Sequence, residues 1–189
     1  MTAALISAPA TEPVSLADVK AHLRLDGTGE DSLLQAAILA ARTHVESETR
    51  RKLIAQGWRL YLDEWPSGRA IELPVAPLIS VESITLYDIV GAAHVLDPDD
   101  YRVDAARLPP RIVAKLRPQA ALYDNGIEID VTAGYGVSSL AVPAALRQAI
   151  LMLVAHWHEH RGAVGFDRAG DVAPLGFEAL IAPYRVRAL

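Results

Sequence analysis

Cysteine is absent from this 189-residue chain, which excludes disulfides, thiolate metal sites and a cysteine nucleophile together. Long apolar runs are absent too. The longest, Ala149 to Ala155, has seven residues, far short of the roughly 20 needed to cross a bilayer, so no membrane partner is expected. Residues 1–13 have no basic stretch followed by an apolar one, so no secretory signal is read and the chain is expected to stay in the cytoplasm where it is made. Nor is there an excess of positive charge. The 23 acidic residues outnumber the 18 basic ones, giving a net charge of −5, so phosphate-driven binding of nucleic acid has no support from overall charge. Internal repeats, low-complexity tracts and abundant aromatics are also missing.

What is present reads as a folded domain of ordinary size, or a domain with an insertion. Apolar residues make up 51% and charged residues 22%, both close to globular averages, so disorder of the whole chain is excluded. Only Lys20, Lys52 and Lys115 are lysine, against 15 arginines. Arginine is favoured at protein interfaces because its planar guanidinium forks and stacks. Genomic composition bias gives the same imbalance, and both readings stand.

Periodicity divides the chain into four segments. Residues 1–14, with Ala8, Pro9, Ala10, Thr11 and Pro13, show no pattern and read as a mobile N-terminal arm. Residues 15–57 read as helical. Ser15 and Asp18 resemble a capping box, followed by Leu16, Val19 and Leu23 on one face. After the turn at Asp26–Gly29, Leu33, Leu34, Ala37, Ile38, Ala41 and Val45 recur at helical spacing, and Arg50, Arg51 and Lys52 are expected in the last turn, at the negative end of the dipole. Residues 58–137 read as a β lobe. Trp58, Leu60 and Leu62 alternate with polar neighbours, and short runs follow at Ile71–Leu73, Ser80–Tyr87, His94–Leu96, Tyr101–Val103, Arg111–Leu116 and Gly126–Thr132, punctuated by proline and glycine. Residues 138–189 read as C-terminal helices. Pro143 suits a first helical position, and Leu146, Ile150, Leu153 and Trp157 form one stripe. Ala149, Leu151, Met152, Val154 and Ala155 leave that helix with almost no polar face, so burial on more than one side is expected. Gly162, Gly165, Gly170 and Gly176 mark a loose lead-in to a short helix at Phe177–Tyr184. The fold class is therefore α+β: N- and C-terminal helices form one core, with an inserted all-β lobe of about six short strands.

Few residues in the sequence suggest chemistry. His156 and His160 are one helical turn apart and suit a shared metal, which makes a metal-dependent hydrolase the rival from the enzyme class. The zinc-protease pattern needs Glu after the first histidine, where this chain has Trp157. Gly134-Tyr135-Gly136 lacks the lysine of a phosphate loop and reads as a tight turn. Ser138 and Ser139 lack a nucleophile frame and read as turn or cap residues. Asp97, Asp99 and Asp100 lack calcium-loop spacing and read as a solvated turn. The pairs Asp63 with Glu64 and Glu128 with Asp130 have no further partner in sequence. No catalytic, cofactor-binding or metal residue is assigned, and no cofactor is expected.

As a whole the pattern resembles the phage head-tail connector (adaptor) family, in its longer branch also found in gene transfer agents. Four stretches carry the resemblance: Ser15 to Leu25 through the long helix to Gln56-Gly57-Trp58; Leu73-Pro74 with Pro77 to Val81, then Asp100 to Val103 and Thr132 to Gly136; Val142-Pro143 through His156-Trp157 to Arg161-Gly162; and Gly176 to Arg185. At positions 158 and 160 the family more resembles Tyr and Asn, which weakens a metal role for the histidines. The resemblance implies a structural, non-enzymatic subunit of a virion or phage-like particle, at the head-tail junction. Such a subunit forms a homo-oligomeric ring, matching the portal's twelvefold symmetry, docks on the portal protein and offers a platform to a tail-side stopper or connector ring. DNA passes through its channel without sequence-specific binding. On this chain the apolar helix then nominates Leu146, Ile150, Leu153, Val154 and Trp157 as the subunit interface. Phe177, Leu180, Ile181, Tyr184, Arg185 and Arg187 become a portal-docking tail that orders on docking. Another connector ring, a stopper or tail terminator, is the rival within the same class.

Overall fold

Helix formation begins where a side chain can satisfy free amides. Ser15 Oγ accepts the Asp18 amide at 3.0 Å, and the Asp18 carboxylate accepts the Ser15 amide at 2.9 Å and its hydroxyl at 2.6 Å. This reciprocal capping box pairs two otherwise unpaired donors, and the serine bonds hold the Asp18 carboxyl below its ordinary range. It opens α1 (Leu16–Leu23), which stops at Arg24 in the left-handed conformation. The second helix, α2 (Asp31–Thr49), buries Leu34, Ile38, Ala41 and Val45 and ends at left-handed Arg50. It thus stops before the basic run expected in its last turn. Arg51 instead donates to the Tyr184 carbonyl, and Lys52 stacks 4.2 Å above the Trp58 ring. After Pro143, whose carbonyl accepts the Leu146 and Arg147 amides, α3 runs over Ala144–His160. A short α4 covers Phe177–Ile181. The four helices share one apolar core. The computed structural model describes residues 1–120, 122–160 and 174–186; Gly162, Gly165, Gly170 and Arg187 lie outside the described residues.

The strands form a second core. A five-stranded antiparallel sheet contains β1 (Thr2–Ser7), β2 (Gln56–Leu62), β4 (Leu78–Tyr87), β5 (Ala93–Val95) and β8 (Ile127–Ala133), in the order β1-β2-β8-β4-β5. A three-stranded sheet orders β3 (Ala70–Glu72), β7 (Arg111–Ala114) and β6 (Tyr101–Asp104) as β3-β7-β6. Along β8, Ile127, Ile129, Val131 and Ala133 are buried while Glu128, Asp130 and Thr132 stay half-exposed, the period-2 pattern of a sheet with one dry face. Trp65, Ile71, Leu73 and Ile112 complete this core. Among the described residues the lobe between α2 and α3 has seven strands, against about six expected.

An eighth strand was not expected. Residues 1–14 were read as a mobile arm, yet Thr2–Ser7 pair with β2 from Thr2↔Tyr61 to Ser7↔Gly57, and Val14 is buried in the helical core. The strand is held through backbone hydrogen bonds, and none of its side chains is buried. No apolar alternation was needed, so none could be read.

The two cores meet where α2 passes into β2. The buried Glu46 carboxylate accepts the Leu53 amide at 2.9 Å and the Gln56 side-chain amide at 3.0 Å, with Arg42 at 3.5 Å and Lys52 at 4.0 Å. Burial lowers the Lys52 pKa, against the pull of Glu46. Backbone bonds stitch the same crossing: Lys52 to Ala76, Gly134 to Pro77, Tyr135 to Leu53 and Ala55 to Gly136. Gly134 has φ +144°, and a Cβ there would stand 2.6 Å from backbone atoms of Ile54 and Ala55. Only glycine allows this approach.

Ser15→Ala should cost about 1 kcal/mol, or roughly 2–4 °C in Tm, by removing one half of the capping box. Gly134→Ala should cost about 3 kcal/mol or more in chemical denaturation, or prevent folding. Gly29→Ala, where a Cβ meets nothing within 4 Å, should change stability by less than about 0.5 kcal/mol.

Candidate interaction surfaces

The apolar stripe of α3 serves the subunit's own core. Leu146, Ile150, Leu153 and Val154 are at most 2% exposed, packed against α1, α2 and α4. They are therefore not a surface that a neighbouring subunit can reach, and the expected interface fails at these four positions. The helix is packed by α1, α2 and α4 together, so it is buried on more than one side within the subunit itself. Trp157 is half-buried, its ring edge-on to His44 at 6.4 Å.

The C-terminal segment is likewise anchored. Phe177 and Ile181 are fully buried in the helical core, with Leu180 and Tyr184 packed beside them. Arg185 pairs with Glu48 at 2.6 Å and Glu178 at 2.8 Å, and the Val186 amide donates to the Thr49 carbonyl at 3.0 Å. Residues 177–186 are thus strapped to the end of α2 within the lone subunit, contrary to the expectation of a tail that orders on docking. Leu175, just before α4, is almost fully exposed.

The histidines do not assemble a ligand set. His160 Nδ1 lies 2.8 Å from the carbonyl of His156, and the two ring centroids are 4.3 Å apart with their planes tilted by 38°. His158 Nε2 instead meets Glu30 at 2.7 Å. Among the described residues no group of three metal-ligating side chains stands together.

The acidic pairs are occupied by internal partners. Asp130 takes the Arg59 fork at 2.7 and 2.8 Å, and Glu128 accepts the Tyr87 hydroxyl at 3.0 Å, which raises the phenol's pKa. Ser80 and Thr132 donate to Glu82 and hold its carboxyl below the ordinary range. Asp97 caps the turn at Pro98–Asp100 through the Asp99 amide, Ser138 caps the turn at Ser139–Ala141, and Gly134-Tyr135-Gly136 forms the junction described above.

The surfaces left open are apolar patches that sequence reasoning passed over. A groove of about 580 Å³ runs between residues 11–16, α2 and the 137–139 loop, flanked by Val137 and Leu140 at 78% and 79% exposed. The β4–β5 turn presents Ile89 and Val90 on a backbone fixed by Asp88, which accepts the Val90 and Ala92 amides. Apolar residues in predicted turns, where polar ones are the rule, were the available signal. No helix among the described residues is long and apolar enough to cross a membrane.

Comparison with known proteins gives these surfaces a context. A family model for the phage gp6-like head-tail connector protein matches residues 13–89. No curated protein sequence matches the chain. Among solved structures, a chain in the neck of an empty gene transfer agent particle computed with C6 symmetry is 32% identical, with a TM-score of 0.85, over 100% of this chain and 97% of that one. A chain in the virion of a native gene transfer agent particle is 31% identical, with a TM-score of 0.84 and the same coverage. A third, in the neck of a native particle computed with C12 symmetry, is 32% identical with a TM-score of 0.75, again over 100% and 97%. With its fold matched end to end at this identity, the chain belongs to the phage gp6-like head-tail connector family.

Proposed function

We propose that this chain is an adaptor subunit that forms a ring at the head-tail junction, docks on the portal protein and passes DNA to a tail-side connector or stopper ring without catalysing a reaction. The full-length likeness to chains in neck structures computed with C6 and C12 symmetry carries this reading. A ring contact is heterologous and needs two different faces. Exposed apolar groups at opposite parts of the molecule suit that need: Val137 and Leu140 beside the groove, Ile89 and Val90 at the lobe's turn. A net charge of −5 favours DNA sliding through the channel over adhesion to its wall.

With α4 held in the core, the portal contact falls to exposed Leu175 just before it. Leu175→Asp should lower affinity for purified portal by about tenfold or more, with Tm unchanged because surface substitutions away from packed features move stability by less than about 0.5 kcal/mol. Sedimentation of the mixed proteins provides the measurement. Wild-type protein that never binds portal, yet binds a tail-side ring, would identify a stopper or terminator instead.

A further inference from the structure

Strand edges divide into two kinds in this molecule. The small sheet ends in β3 and β6, which carry Glu72, Arg102 and Asp104. Charge on an edge strand discourages pairing with another chain. The large sheet ends in β1 and β5, and neither has this protection. Thr2–Ser7 contains no charged residue and no proline, and every side chain is exposed or half-exposed. Ala93–Val95 carries only His94, whose ring faces Asp88 at 3.6 Å, and all three residues are exposed. Leu5 and Ile6 are 48% and 53% exposed and Val95 is 68% exposed. Among the described residues, no other backbone segment hydrogen-bonds to residues 2–7 or 93–95 beyond their inner strand neighbours.

We propose that these two edges are made for each other in different copies: β1 of one subunit adds to β5 of the next, so the five-stranded sheets continue from copy to copy around the ring. The inference rests on the ring reading above and names the contact that closes it. Topology fixes the sense of the pairing. Each step from β1 through β2, β8 and β4 to β5 is antiparallel, so four reversals leave β1 and β5 pointing the same way. A rotation that preserves strand direction then brings β1 of the next copy alongside β5 in parallel. A two-fold dimer would pair β1 with β1 instead, and this closes without a ring. Because β5 has three residues, each contact is short and weak alone. It gains strength when copies sit side by side on a common base.

The cysteine-free chain makes the test direct. Ala3→Cys paired with Ala93→Cys, and Ala3→Cys paired with Val95→Cys, would be oxidised in rings assembled on portal and resolved by denaturing electrophoresis. The expected result is a ladder of covalent multimers from at least one double variant and monomers from each single variant. Leu5→Lys in the double-variant background should cut the cross-linked yield by about tenfold while leaving the melting curve in place, since Leu5 is half-exposed. Rings that form normally but yield no ladder would overturn the edge pairing and leave the ring reading intact. Dimers from Ala3→Cys alone would overturn it in favour of β1–β1 contact. If no ring assembles on portal, the adaptor reading fails and the edge pairing fails with it.

Discussion

A buried carboxylate and a missing side chain hold this molecule in its shape. Glu46 lies near the end of α2, and its oxygens gather the Leu53 amide, Gln56, Arg42 and Lys52. A buried carboxylate is tolerated only when hydrogen bonds and opposite charge replace its water, so the chain around it has little freedom. Opposite, Gly134 lets the end of β8 lie against Ile54 and Ala55. The helical core and the β lobe share no buried residue. Their relative position depends on this crossing.

That crossing joins two parts that are each closed within one subunit. The helical core is closed by its own C-terminal segment: α4 covers α3, and Arg185 ties the following turn to Glu48 and Glu178. The lobe is closed by sheet packing, with its acidic groups matched by Arg59, Tyr87, Ser80 and Thr132. What remains open to a partner is peripheral. A groove lies beside α2, an apolar turn follows β4, and the large sheet has two bare edges. Such a distribution suits a part that works by meeting neighbours on several sides, as the proposed ring requires.

Much of this was legible in the sequence because the relevant forces are local. The capping box at Ser15, the helical spacing of α2 and the alternation along β8 each leave a pattern within a few residues, and the α+β division followed from the change of period after Gln56. Contacts formed at long range were not legible. Periodicity marked α3 as too apolar for one-sided burial but did not tell whether its second side met another chain or α4. The answer depends on Phe177 and Ile181, placed there by tertiary packing. The N-terminal strand was invisible for the opposite reason, since its backbone pairs while its side chains face solvent. Arg50, Arg51 and Lys52 were misplaced because a left-handed cap at Arg50 ends the helix one residue before them, and a left-handed arginine has no sequence signature comparable to glycine.

The proposed ring between capsid and tail is open to a single decisive observation. Imaging the neck of assembled particles by electron microscopy, with and without this chain, tests it most directly. The expected result is density for the two-core subunit in a closed ring against the portal, lost together with tail attachment when the chain is removed. Particles that join heads to tails normally without it, or density for it anywhere other than the junction, would contradict the account.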